Sequence, residues 1–234
     1  MILSAHQPVY LPWLGLFHKI VLADCFCIFD IAQYQKNDFN NRNKIKTANG
    51  SLLLTVPVNA KGRFNDQIKN TKIANQQWKR QHFKAIYFNY KKTPFFNNYI
   101  GELEAIYLGK EYEYLSDLNT TMLNFFLEKL DIKTKIITAS DYNFVGQKSD
   151  LVLNMCQKLN AEKIIFGENG KDYVDTDSFK KNGIEIFFQE YSHPEYKQCF
   201  QKEGFLSHLS IIDLLFNEGD RSKDIIMSGN LKKV

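Results

Sequence analysis

The sequence predicts an α/β protein with a mostly parallel sheet, interrupted by a β-hairpin insertion and a helical middle region. Three observations carry this expectation. Two short runs of strand formers, Ile2–Ala5 and Cys25–Asp30, enclose Leu14–Ala23, where apolar residues recur at helical spacing. A turn signal, Ala48-Asn49-Gly50-Ser51, separates two further strand-like runs. The last third then returns to alternating strand and helix patterns.

Taken in order, the two first strands lack polar alternation, as expected of strands buried on both faces of a parallel sheet. Gln7-Pro8 and Leu11-Pro12 predict an extended loop before the first helix. The hairpin spans Asn43–Thr47 and Leu52–Val58, because Asn and Gly both tolerate positive φ. From Gln76 to about Lys129 the pattern is helical: Trp78, His82, Ile86 and Tyr90 recur every fourth residue, and Leu115–Leu130 carries one apolar stripe, giving two or three helices. A strand at Lys135–Thr138, a helix at Asp150–Leu159 and strands at Lys163–Phe166 and Ile184–Gln189 follow. Ser210 to Asp213 has the spacing of a capping box ahead of a closing helix that stops at Gly219, and the Lys-rich tail Asn230–Val234 is expected to fray.

Composition bounds the function. At 234 residues, with no Pro/Gly/Ser-rich linker, the chain reads as a single α/β domain over 1–234. The net charge of +4, from 30 basic and 26 acidic residues, is far from the concentrated positive charge of a nucleic-acid binder and suits a small anionic ligand. Apolar runs fall short of the roughly 18 residues of a membrane helix, and His6-Gln7-Pro8 interrupts the N-terminus before a signal-peptide core develops, so the expected location is the cytoplasm. Cys25, Cys27, Cys156 and Cys199 form no C-x-x-C pair and read as buried thiols, with no metal expected. Walker A, G-x-G-x-x-G, G-x-S-x-G and H-E-x-x-H motifs are absent.

Several segments carry candidate chemistry. Asp30-Ile31-Ala32-Gln33-Tyr34-Gln35-Lys36 and Asn40-Asn41-Arg42-Asn43-Lys44-Ile45-Lys46 leave the carboxyl end of a strand, where parallel sheets bind ligands, and set Lys36, Arg42, Lys44 and Lys46 against Asp38. They read as a phosphate site or as a solvated loop. His6-Gln7-Pro8 and Tyr10-Leu11-Pro12-Trp13 precede a helix whose unpaired N–H groups suit a phosphate; the same residues make a rigid buried turn. Gly167-Glu168-Asn169-Gly170, trailed by Tyr173, permits close backbone approach to a ligand. His193 is the candidate general base because histidine titrates near neutrality, although His193-Pro194 also suits a turn. Asp213 completes a catalytic constellation or caps its helix, while His18 reads as a core or surface histidine and His82, beside Trp78 and Ile86 on a predicted helix, as a core histidine.

The segment His6–Gly15 together with Ala23-Asp24, Asp30, Gln33-Tyr34, Lys36, Asn41–Lys46 and Leu54-Thr55-Val56-Pro57-Val58 resembles the WbqC-like family. The likeness continues through Trp78, His82, Gly167, Gly170, Tyr173, Gln189, Tyr191, His193-Pro194, Tyr196 and Leu209–Gly219, nearly the whole chain, with Phe39 where the family often has Trp. The resemblance implies a role in O-antigen or related lipopolysaccharide glycan synthesis, as a transferase or amide ligase that adds glycine to the amine of a nucleotide-linked deoxyamino sugar. In that reading Lys36, Arg42 and Lys46 hold a diphosphate, Asp30 and Gln33 orient sugar or amine, and His193 removes the amine proton. His6, Gln7, Tyr10, Tyr34, Asn41, Gly167, Tyr173 and Asp213 complete the site. The glycyl donor is either glycine with ATP or a charged tRNA, the only nucleic acid expected. The alternative is a non-catalytic nucleotide-sugar or glycan-binding protein that stacks its ligand on Tyr10, Trp13, Tyr34 and Phe39. The first crossover also resembles nucleotidyltransferase-like ligases, in which ATP adenylates a carboxylate, but of their paired-histidine signature only His6 and His18 stand near.

Overall fold

In the computed structural model, which describes residues 1–59 and 66–229, the chain opens with β1 (Ile2–His6), α1 (Leu14–Val21) and β2 (Cys25–Ile28). β3 (Arg42–Thr47) and β4 (Gly50–Thr55) form a separate antiparallel ribbon. Three helices follow: α2 (Gln77–Tyr90), α3 (Phe96–Leu108) and α4 (Leu115–Lys129). The last third supplies β5 (Lys135–Thr138), α5 (Lys148–Lys158), β6 (Lys163–Phe166), α6 (Thr176–Lys181), β7 (Glu185–Phe188), α7 (Ile211–Glu218) and α8 (Ser222–Ser228).

The main sheet is wholly parallel, in the order β5-β2-β1-β6-β7. The chain steps from β1 outward through β2 to β5, returns to the other side of β1 as β6, and ends at β7. The order therefore reverses between β1 and β6, and the loops leaving their carboxyl ends diverge to leave a crevice. Period-2 alternation sorts the side chains between two cores. Leu3, Cys25, Cys27 and Ile164 pack with Met155 of α5 and Phe179 of α6. Phe26 and Ile28 pack on the opposite face with Phe17 of α1 and Phe126 of α4, in a larger core that extends through Tyr90, Tyr107 and Phe216. Cys25, Cys27 and Cys156 are buried thiols of the smaller core.

Several local expectations are corrected. The short helices α6 and α8 have no counterpart in the sequence reading, and α5 begins at Lys148 rather than Asp150. In the hairpin Thr47 pairs with Gly50, and Gly50 alone takes positive φ, at +93°, while Asn49 does not. Leu11 is not extended: its φ is +46°, a left-handed conformation costing roughly 1–2 kcal/mol for a branched side chain. That conformation is held from outside, by Asn43 Nδ2 donating to the Leu11 carbonyl and by Ile211 N donating to Pro12 O at 2.8 Å. Ser210 caps α7 through Ile212 N, but the Asp213 carboxylate does not reach back to close a capping box, because it accepts from two tyrosines instead. The tail Asn230–Val234 lies outside the described residues. No helix among the described residues is long and apolar enough to cross a membrane.

Candidate functional site

A cavity of about 760 Å³ occupies the crevice between the carboxyl ends of β1 and β6. β1 delivers His6 and Gln7 to one wall, and β6 delivers Phe166 and the turn Gly167-Glu168-Asn169-Gly170, with Tyr173 beyond. The two glycines of that turn do different things. A Cβ on Gly167 would meet nothing within 4 Å, whereas one on Gly170 would lie 2.7 Å from Phe166 Cβ, so Gly170 is required by packing. α1 supplies Gly15 and Lys19, one helical turn apart on the same face. Gln189, just past β7, ties that helix to the sheet by donating to Gly15 O and to His18 Nδ1, both at 2.8 Å.

The loop after β2 closes the other side. Asn40 Nδ2 donates to Gln7 Oε1 at 3.2 Å and Pro8 O at 3.0 Å, while Phe39 O accepts from Tyr10 N at 3.0 Å. Phe39 thereby meets Trp13, ring centroids 5.1 Å apart, and His6 lies edge-on to the same indole at 5.3 Å. Phe39 remains 43% exposed, so one wall of the cleft presents aromatic surface to an incoming ligand.

Lys19 is the anomaly of the site. It is 3% exposed, its Nζ donates to the Ala5 carbonyl at 2.9 Å, and it forms no ion pair with any described carboxylate. Burial lowers its pKa to about 8. Beside it, burial first and the Lys19 charge second lower His6 to about 3, so His6 is neutral at physiological pH. A carbonyl can only accept, so the contact of His6 Nδ1 with Gln7 O, 2.9 Å, puts the proton on Nδ1 and leaves Nε2 as an acceptor. Among the described residues Lys19 is the one lysine or arginine on the wall; the carboxylates that line the cleft, Asp38 and Glu168, are more exposed. The cleft is thus cationic at depth and anionic towards its mouth.

The residues expected from sequence divide sharply. His6, Gln7, Gly167 and Tyr173 line the cleft. The three cations expected to hold a diphosphate do not converge there. Lys36 is exposed; Arg42 donates to the backbone carbonyl and side chain of Asn37; Lys46 is buried, with Nζ donating to Gln198 Oε1 at 3.0 Å and Gly204 O at 2.5 Å. Tyr10 is fully buried, bonded to His82 and Tyr107. Tyr34 is buried, Gln33 bridges to Gln67, and Asn41 donates to Val56 O at 2.7 Å. The Asp30 carboxylate accepts from Ser140 N at 3.0 Å and Oγ at 2.6 Å and faces a different cleft. Asp213 accepts from Tyr90 and Tyr196, each at 2.9 Å, and burial raises it to about 6. His193 sits behind the cleft wall, its ring 5.1 Å from that of His208, which lines the cleft; burial lowers its pKa.

Lys19 escaped sequence reasoning although a signal was present. It follows Leu14-Gly15-Leu16-Phe17-His18, and a lysine so placed within an apolar crossover helix has to emerge into a cavity or into solvent. Gln189 and His208 carry no comparable local signal, because long-range packing alone brings Gln189 to α1 and His208 to the cleft wall.

Fold and site together define a doubly wound α/β protein with a cleft at its topological switch point, where open α/β sheets bind ligands. The WbqC-like protein family model matches residues 7–225, and the chain belongs to that family. It is 37% identical over 221 residues to the uncharacterized protein Rv1507c of Mycobacterium tuberculosis, a match covering 94% of this chain and 95% of that one. No solved structure matches the chain.

Proposed function

We propose that this protein forms an amide on the amine of a nucleotide-linked amino sugar, using glycine or a similar small acyl group. The observation that carries the reading is the polarity of the switch-point cleft. Buried Lys19 lies at its floor and the carboxylates of Asp38 and Glu168 lie nearer its mouth. A molecule with an anionic phosphate at one end and an amine at the other complements that order. Trp13 and Phe39 offer a face for the base or sugar ring. Lys19, in place of the basic loop, is the phosphate anchor.

Chemically, the sugar nitrogen attacks the acyl carbonyl, a C–N bond forms, the bond from that carbon to the leaving oxygen breaks, and the nitrogen loses a proton. Two imidazoles stand near to receive it: His208 on the cleft wall and His193 behind it. Holding both reactants in register would supply much of the rate. The gene-cluster role in O-antigen or other surface-glycan synthesis follows from the family likeness, and it belongs to the same proposal, as does the cytoplasmic location expected from the sequence, where nucleotide sugars are made.

The test incubates purified protein with a dTDP-linked amino sugar and either glycine with ATP or glycyl-tRNA, and weighs the product. A gain of one glycyl unit is expected with one of the two donors. Tight nucleotide-sugar binding with no product from either donor would replace this reading by that of a non-catalytic binding protein.

A further inference from the structure

The net charge of +4 conceals a local concentration. Residues 67–101 hold seven of the 30 lysines and arginines and none of the 26 aspartates and glutamates, so the rest of the chain is net acidic, 23 basic residues against 26. Five of those seven fall on α2 and the two residues that follow it. One, Lys79, is buried with Nζ donating to Lys110 O at 2.8 Å; the other four, Arg80, Lys84, Lys91 and Lys92, are exposed. Among the described residues none of these four forms an ion pair.

Helical spacing gathers them on one face. α2 buries Trp78, His82, Ile86 and Tyr90; Trp78 and His82 pack against Tyr10, whose N–H donates to Phe39 O on the cleft wall. Positions 80, 84, 87, 88, 91 and 92 fall on the opposite, exposed face, in a stripe roughly 18 Å long at 1.5 Å per residue. Two aromatic rings are set among the cations. Tyr87 is 39% exposed, and Phe88, at 62%, is the most exposed large hydrophobic side chain among the described residues. Lys91 Nζ lies 5.2 Å from the centroid of the Phe88 ring, so ring and cation form one surface. Gln77 and Gln81, also exposed, add amide donors and acceptors to the same face.

We infer that the outward face of α2 docks RNA: its four cations follow the phosphate backbone, and Tyr87 and Phe88 receive unpaired bases. Charge complementarity selects a polyanion, since unpaired cations release counterions from a run of phosphates. The exposed rings select among polyanions. A base stacks on an aromatic side chain only where it is free of a duplex, as in the single-stranded ends and loops of folded RNA. A membrane surface fits less well, because an interfacial helix lays a continuous apolar face into the bilayer, whereas the apolar face of α2 is buried in the core and its outward face interleaves charge with two rings. One consequence rests on the proposed function: a protein that docks RNA beside an acyl-transfer cleft takes its acyl group from a charged tRNA rather than from a free amino acid with ATP.

The experiment reads binding without turnover. Fluorescein-labelled bulk bacterial tRNA is titrated with the full chain and followed by anisotropy, with duplex DNA and phosphatidylglycerol vesicles as competing anions. tRNA should bind in preference to both, with log K falling against log salt concentration at a slope of about −3, the value for four phosphate contacts. The double variant Lys84→Ala/Lys91→Ala should cut that slope to about half, while Phe88→Ala should weaken binding by about fivefold to a hundredfold and leave the slope unchanged. All three positions are exposed, so Tm and nucleotide-sugar binding, read by quenching of Trp13 fluorescence in the cleft, should match the native protein. No tRNA binding, equal binding of duplex DNA or of vesicles, or native affinity in both variants would overturn the RNA surface. tRNA bound through α2, with no product from a charged tRNA or from a free amino acid and ATP, would remove the transfer reading and leave the surface standing. Product from a free amino acid and ATP, with no tRNA bound, would remove the surface and leave the transfer reading standing.

Discussion

Among the buried lysines of the described residues, Lys19 and Lys46 differ most in what surrounds the charge. Lys46, on β3, is enclosed: Nζ donates to Gln198 Oε1 and Gly204 O, its own N–H donates to Tyr90 Oη, and that hydroxyl in turn donates to Asp213. Lys19, on α1, has a carbonyl on one side and an open cleft on the other. A buried charge that the fold satisfies on every side stabilises through its network and has nothing left to offer a ligand. One satisfied on a single side costs stability and leaves ammonium donors for an anion in the cleft, the role the proposed function gives Lys19.

The largest effect expected from this contrast comes from breaking the closed network. Asp213→Ala strips the acceptor from the buried Tyr90 hydroxyl and the part-buried Tyr196 hydroxyl, and removes a negative charge that interacts with Lys46. Loss of one member of such a buried charged set costs roughly 3 kcal/mol, which for a chain of this size lowers Tm by roughly 6–12 °C. Nucleotide-sugar affinity of the folded fraction should stay within about threefold of the native value, because Asp213 is not on the cleft wall. Thermal melts beside Trp13 quenching check both halves; an Asp213→Ala protein with native Tm and lost binding would reverse the assignment of the two regions.

The second effect is opposite in kind. Lys19→Met should weaken nucleotide-sugar binding by about tenfold to a hundredfold, the worth of one charge-assisted contact, and leave Tm unchanged or raise it. The sign follows from the lowered pKa. Between about 8 and the ordinary lysine value of 10.5 the unfolded chain holds a proton at this position that the folded chain does not, so stability contributed by Lys19 rises with pH across that window. Below it the protonated amine carries the full burial cost, which methionine abolishes. Binding runs the other way: an anion favours the ammonium, so native affinity should fall as pH rises through about 8, and Lys19→Met should lose that dependence. A pH-independent native affinity would exclude Lys19 as the anchor.

These two lysines also explain which parts of the molecule were legible in sequence. The parallel strands announced themselves as unbroken apolar runs, and the hairpin by Asn49-Gly50, because both signals are local. His6, Gln7 and Gly167 were legible for a related reason: in a parallel sheet the residues after a strand face the binding edge wherever the strand lies. The order of strands was not local information, so the crevice between β1 and β6 could not be told from the edge after β2. The cations after β2 therefore drew attention, whereas Lys46, on the same strand face as exposed Lys44, is buried by the distant segment that carries Gln198 and Gly204, and Asn41 bonds to the start of the segment leaving β4. α6 was missed because six residues with one buried apolar side chain give no periodicity to detect.

The smallest effect concerns Arg42, which connects the two regions without belonging to either. Its guanidinium donates to the carbonyl and to Oδ1 of Asn37, a residue held at φ +67°, and so fastens β3 to the loop that carries Asp38, Phe39 and Asn40 to the mouth of the cleft. Both contacts are exposed, and exposed polar contacts contribute roughly 0.5–1 kcal/mol. Arg42→Ala should therefore lower Tm by only about 1–4 °C and weaken nucleotide-sugar binding by no more than about threefold, through a looser Phe39. Were Arg42 a phosphate ligand, the same substitution would match the loss in Lys19→Met while leaving Tm untouched. Combining the two sharpens the distinction. Residues acting on one phosphate share a partner and couple, whereas a fastener of the loop and an anchor at the floor act through separate contacts, so the double variant should lose affinity by the product of the single losses. A double variant no weaker than Lys19→Met alone would place Arg42 at the same anion.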